Sequence, residues 1–254
     1  MDSYFSFDGY HSLDDLGLEV ELVSLPLFPE PKTVYEDIPG TDGELNLSTV
    51  NPNKRLYFKP RIIEFNCHGT FDPETGGNIH SKLSEITKIL CSGEDKTLIL
   101  SGLDDYYYKG HAANLFNVTI ESDSSFSFPL VFKCQPFRIQ KKTTALESEN
   151  NILRIENDGY YTDFTLRADS FINTDPIIIR SNRYPGRELK INTLIDGGYL
   201  VIDTEKKDVT LNGKSVLSEC SGEFFDLAPG TNDITFDTGK DEYFFGCSYN
   251  KKYL

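Results

Sequence analysis

Four groups of residues in this chain are of types that carry chemistry in other proteins. Asp14-Asp15 and Asp104-Asp105 are paired carboxylates, the material of general acid–base work. Neighbours on a strand point to opposite faces, and neighbours in a turn are solvated, so neither pair is arranged as a catalytic dyad. Asp72-Pro73-Glu74-Thr75-Gly76-Gly77 is oxygen-rich but lacks the alternating Asp spacing and terminal Glu of a calcium loop. Its Pro and Gly suit a strand-to-helix turn instead. Cys67, His68 and His80 flank that loop without supplying the locally spaced ligand set that zinc takes. Cys67 alternates with Phe65 and Ile63 and reads as a core thiol. There is no Gly-x-Ser-x-Gly elbow, no Walker loop and no Gly-x-Gly-x-x-Gly, and only four His (His11, His68, His80, His111) could serve as bases. No catalytic, cofactor-binding or metal-binding residue is therefore assigned, no cofactor is expected, and interface residues stay unassigned. Tyr106-Tyr107-Tyr108 is left with two readings. It is a contact surface for protein or sugar, or a strand with Tyr107 packed inward.

The elements that must position these residues are mostly strands. Tyr4–Phe7 and Leu18–Val23 alternate around turn chemistry at Asp8-Gly9 and Asp14–Gly17. Pro26, Pro29 and Pro31 keep the next segment out of a paired strand. Ile38-Pro39-Gly40-Thr41-Asp42-Gly43 is a double turn signal. Residues 60–71 form a strand of period two, with Arg61, Glu64 and His68 expected on the exposed side. One helix is expected over 78–91, from the stripe Ile79, Leu83, Ile86, Ile89 and Leu90, with Gly93 beyond its end. Strands follow over 97–100, 114–121 and 125–134, the last two joined at Asp123-Ser124. Residues 140–151 are polar and read as a linker. Beyond it, short strands are expected at 152–156, 163–167, 176–180, 188–193, 199–203, 208–211, 223–227, 232–236 and 242–247. Turns such as Asn157-Asp158-Gly159, Asp196-Gly197-Gly198 and Asn212-Gly213 separate them, the pattern of a β-sandwich or barrel of jelly-roll type.

Composition agrees and excludes several classes. The 254 residues contain 18 Phe, 14 Tyr and no Trp, an aromatic content that favours pleated, half-buried surfaces. No apolar run approaches the ~18 residues of a spanning helix, and MDSYFSFDGY lacks the basic start and apolar core of a secretory signal. Cys67, Cys91, Cys134, Cys220 and Cys247 are odd in number and widely spaced, which fits reduced thiols. With 25 Lys+Arg against 40 Asp+Glu the formal charge is −15, heavier before residue 141 than after. Lysines adjoin only as the pairs Lys141-Lys142, Lys206-Lys207 and Lys251-Lys252, so sequence-specific nucleic-acid binding is not expected. Acidity either keeps a passing polyanion from adhering or serves solubility alone.

Several stretches, in order, resemble the siphophage distal tail protein (Dit) family. They are Phe5-Ser6-Phe7-Asp8-Gly9 with Ser12 and Leu16-Gly17-Leu18, then Ile38–Gly43, then Phe132-Lys133-Cys134-Gln135-Pro136-Phe137. In the second half come Asp175–Ile179, Leu200–Asp203, Val209–Gly213 and Leu227–Ile234. The resemblance covers nearly the whole chain. It implies a mainly β protein with two domains. Residues 1–140 would be a ring-forming N-terminal β domain with one helix, and residues 141–254 a C-terminal galectin- or carbohydrate-binding-module-like β-sandwich.

The implied function is that of a non-enzymatic structural part of the phage tail tip. A homohexameric ring, single or stacked, would join the tail tube protein to the tail-associated tip protein, and in some phages to a receptor-binding protein. DNA would pass through it, no membrane would be bound, and the protein would be made in the bacterial host cytoplasm for assembly into virions. Some family members bind saccharide through an insertion for which this chain has no room. The alternative reading is a carbohydrate-binding module for host cell-wall polymer, with Tyr160-Tyr161 and Tyr199 as the aromatic candidates; a cell-wall hydrolase would need two carboxylates across a cleft.

Overall fold

The computed structural model describes residues 3–254 except 41, 52–53, 72–77, 92, 115–116, 123, 170–171, 173–174, 194, 196 and 240–243. The oxygen-rich loop at 72–77, Thr41 of the double turn, and the turn residues Asp123 and Asp196 lie outside the described residues. Backbone contacts divide the chain into two compact units, Met1–Arg138 with Leu254, and Ile139–Tyr253.

The first unit is built from Phe5–Phe7 (β1), Tyr10–His11 (β2), Leu18–Ser24 (β3), Tyr35–Asp37 (β4), Glu44–Asn46 (β5) and Arg61–Thr70 (β6), then the helix Ile79–Leu90 (α1), then Lys96–Leu100 (β7), Tyr106–Ala112 (β8), Thr119–Ser122 (β9) and Ser125–Cys134 (β10). An antiparallel sheet runs in the order β2-β1-β7-β8-β10-β6-β3, with β9 also on β10. Its long central pair is the clearest product of period two. Ile63, Phe65 and Cys67 of β6 and Phe126, Phe128, Leu130 and Phe132 of β10 point to one face. They share a core with Phe5, Phe7 and Leu98, and α1 adds Ile86 and Leu90 to it. Asn78 caps α1, its side chain accepting from the Ser81 N–H at 2.8 Å. Pro129 breaks the usual rule against proline within a strand without cost. It pairs with Asn66 on one side, and on the other its carbonyl accepts from the Asn114 amide at 2.8 Å, so no neighbouring strand needs its missing N–H.

Arg138–Gln140 (β11) spans the division, and the second unit continues with Thr144–Glu147 (β12), Ile152–Asn157 (β13), Phe164–Asp169 (β14), Ile177–Ser181 (β15), Glu188–Ile191 (β16), Tyr199–Asp203 (β17), Asp208–Leu211 (β18), Lys214–Ser215 (β19), Cys220–Gly222 (β20), Gly230–Asp237 (β21), Gly246–Tyr249 (β22) and Lys252–Tyr253 (β23). Two sheets, β12-β22-β14-β17-β18-β19 and β13-β21-β15-β16-β20, bury a single core between them. Of the sandwich and the barrel that the strand spacing allows, this is the sandwich. Asn232, fully buried, holds one of its turns: Oδ1 accepts from the Ala228 N–H at 2.9 Å, and Nδ2 donates to the Ala228 and Gly230 carbonyls at 2.8 Å each.

Three expectations need correction. The polar stretch 140–151 is not all linker, because Thr144–Glu147 pairs with β22 as an edge strand. The strand expected over 223–227 lies earlier, at Cys220–Gly222, and Phe225 and Leu227 enter the core from irregular backbone. Finally, Arg61 is not exposed. Parity puts it on the same face as Ile63 and Phe65, and it is 2% exposed.

Candidate assembly surface

The outward face of β3, β6, β10 and β9 is polar by the same alternation that makes the inward face apolar. Cross-strand register sets Glu19 beside His68 and Glu21 beside Asn66, and Ser127 links His68 to Thr119 on β9. Together with Val20, Cys67, Phe128 and Pro129 these residues line a groove of about 570 Å³. Glu19 and Glu21 form one wall. Glu121 stands on the other, its carboxylate 3.1 Å from Nδ1 of His68. Among the described residues, no Lys or Arg lines the groove. Carboxylates facing a shared concavity concentrate negative potential there.

Between β3 and β6 the chain makes a long excursion, residues 25–60, whose only named strands are β4 and β5. Among the described residues these two pair with each other and with no other strand. Apolar exposure is concentrated here. Among the described residues, Leu27, Phe28 and Val50 are 77%, 75% and 74% exposed, with Val34, Tyr35 and Leu45 also exposed. Exposed apolar patches of this kind mark surfaces that other molecules cover. The excursion also carries Lys54-Arg55, a basic pair overlooked in the sequence reading, and Arg55 lies over the Tyr57 ring at 5.2 Å. Lys59 is paired with Glu30 at 2.6 Å.

The root of this excursion is fixed by Arg61. Its guanidinium donates to the carbonyls of Pro26 and of Leu27 (3.0 Å), and to Pro136 O through both Nε (3.2 Å) and Nη2 (2.9 Å). It also lies over the Tyr108 ring at 5.4 Å. Burial lowers its pKa from the ordinary arginine value. A planar five-donor fork meets three carbonyls in a way a lysine could not. One buried cation thus holds both ends of the excursion and the segment after β10.

The groups singled out in the sequence are placed elsewhere and apart. Asp15 accepts from the His11 N–H at 2.6 Å and His11 Nδ1 accepts from the Leu13 and Asp14 N–H groups, so this cluster closes a turn. Asp104 accepts from the Tyr4 hydroxyl, which raises that phenol above its ordinary pKa. His80 is exposed on α1, and His68 faces Glu121 instead. Among the described residues no group of three His, Cys, Asp or Glu is placed to hold a metal ion. In the tyrosine run it is Tyr108, not Tyr107, that packs inward, at 3% exposed. Its parity follows from Gly110, which lies against Cys134. Tyr160 and Tyr161 meet edge to face at 5.0 Å, and Arg167 covers Tyr199 at 5.5 Å, so neither is a bare flat platform. Of the basic pairs, Lys251 binds Asp158 and Lys252 binds Asp163, each at 2.7 Å, and Lys206 meets Asp203 at 3.2 Å. Asp158 is held below the usual carboxylate range by its hydrogen bond from Lys251.

One family comparison falls within the second unit. Residues 181–253 match the family described as siphovirus-type tail component, C-terminal domain. Among solved structures, the Dit protein of phage SPP1 shares the fold over 100% of both chains, with a TM-score of 0.76 at 14% sequence identity. That protein is described as a paradigm of the hub adsorption apparatus in phages infecting Gram-positive hosts. No curated protein sequence matches the chain.

Proposed function

We propose that this protein is a non-enzymatic structural component of a siphophage tail tip. In this reading the first unit closes into a hexameric ring. That hub joins the tail tube protein to the tail-associated tip apparatus, the DNA passes through it, and the second unit projects as a sandwich. The observation that supports it best is the end-to-end likeness to the SPP1 hub protein, reinforced by the tail-component family match within the second unit. The apolar-rich excursion at 25–60 suits a chain that buries surface against other chains. Closing a ring needs a heterologous contact, in which one patch meets a different patch on the next copy. The acidic excess suits a passage from which a polyanion is repelled.

Light scattering on the purified chain, followed by negative-stain imaging of the same peak, tests this. Rings of six copies, single or stacked, are the expected result. A monomer both alone and mixed with the tail tube protein would overturn the reading.

A further inference from the structure

We infer that the acid-walled groove on β3, β6, β10 and β9 is one half of a head-to-tail contact, and that its occupant is the Lys54-Arg55 segment of a second copy of this chain. The inference rests on the ring reading above and names the two patches that such a ring would bring together. Charge is the argument. Glu19 and Glu21 line one wall, Glu121 the other, and among the described lining residues there is no Lys or Arg to answer them. Within residues 25–60 the carboxylates Glu36, Asp37, Asp42 and Glu44 cluster at the hairpin, while Lys54 and Arg55 are displaced from them onto the return segment. In the second unit, Lys206, Lys251 and Lys252 meet aspartates of their own unit. Lys54-Arg55 is the basic pair carried on an exposed, apolar-rich segment, so its docking would bury Val50 and Tyr57 together with the charges. Groove and basic segment are different patches of one chain, which makes the contact heterologous and lets it propagate around a ring.

The test uses the full chain in two charge-reversed forms. One carries Glu19→Lys and Glu21→Lys, the other Lys54→Glu and Arg55→Glu; thermal melting checks that each folds. Alone, each form should scatter as a one-copy species where the unmodified chain forms the ring. Mixed in equal amounts they should regain the ring mass, because in an alternating ring each groove again faces a segment of opposite charge. A chain with all four reversals should recover the ring mass. If a reversed form does not fold, the near-isosteric pair Glu19→Gln and Glu21→Gln replaces it, and should weaken association roughly tenfold. A ring whose mass is unchanged in every variant overturns this inference and leaves the ring reading intact. An unmodified chain that stays monomeric with its tail tube partner overturns both.

Discussion

At the scale of the residue, Arg61 shows how alternation can outrank residue type. Arginine ordinarily seeks solvent, and on type alone it was expected outside. The period of β6 already places it with Ile63 and Phe65, so its side was legible in the sequence. Its partners were not, because Pro26, Leu27 and Pro136 are far from it along the chain and offer only backbone carbonyls. Arg61→Ala strands those carbonyls, and we expect a loss of about 2–4 kcal/mol in urea unfolding with faster protease nicking within residues 25–60. Arg61→Lys should recover only part of this, since one ammonium cannot span the three acceptors; full recovery would refute the clamp. The thiols make a second prediction. Burial pushes Cys67, Cys134 and Cys247 up to about 12, so they stay protonated at neutral pH. Only Cys91 is exposed, so a colourimetric thiol reagent at pH 8 should find one fast group, a slower Cys220, and three released only by denaturant. Three or more fast thiols in the folded protein would contradict the placement of these cysteines.

At the scale of the element, what the sequence revealed depended on contrast between faces. The helix and the central strands β6 and β10 were legible because one face is apolar over their whole length. β4, β5 and β12 were missed because they bury almost nothing: nearly every residue in them is exposed, and Tyr35-Glu36-Asp37 carries no apolar alternation. The double turn between β4 and β5 was visible while its strands were not. At 223–227 the failure ran the other way, since Phe224, Phe225 and Leu227 look like a strand. Pairing ends instead at Gly222, which has φ +93° and would place a Cβ 1.9 Å from the Glu188 carbonyl oxygen. Only glycine fits there. Gly222→Ala should cost about 2–4 kcal/mol by detaching β20 from β16, read as a lowered urea midpoint. Asn232→Ala removes the three hydrogen bonds that hold the Ala228–Gly230 turn and should cost about 2–3 kcal/mol, where a surface change would be nearly silent. A shift below about 0.5 kcal/mol at either position would refute the role given to it.

At the scale of the whole molecule, electrostatics sets the outcome that is simplest to measure. A formal charge of −15 opposes the gathering of copies, so whatever holds them together must overcome that repulsion with local attraction and buried apolar surface. Salt screens both the repulsion and the attraction. If groove and basic segment carry the contact, raising the salt from about 0.1 to 1 M shortens the screening length from ~10 to ~3 Å and should reduce the fraction assembled at a fixed protein concentration. Assembly that strengthens with salt would instead assign the contact to the apolar side chains of the excursion. The excursion has one more consequence, for how such a chain can vary. It leaves and re-enters the unit between two strands that are already hydrogen-bonded neighbours, and a single side chain pins its ends. Because its endpoints are held, lengthening or shortening it alters chain-closure entropy only logarithmically, about 0.6 kcal/mol per doubling. Residues 25–60 therefore form a replaceable cassette: a site where lineages could exchange partner specificity, or an engineer could insert a tag, while the sheet beneath stays as it is.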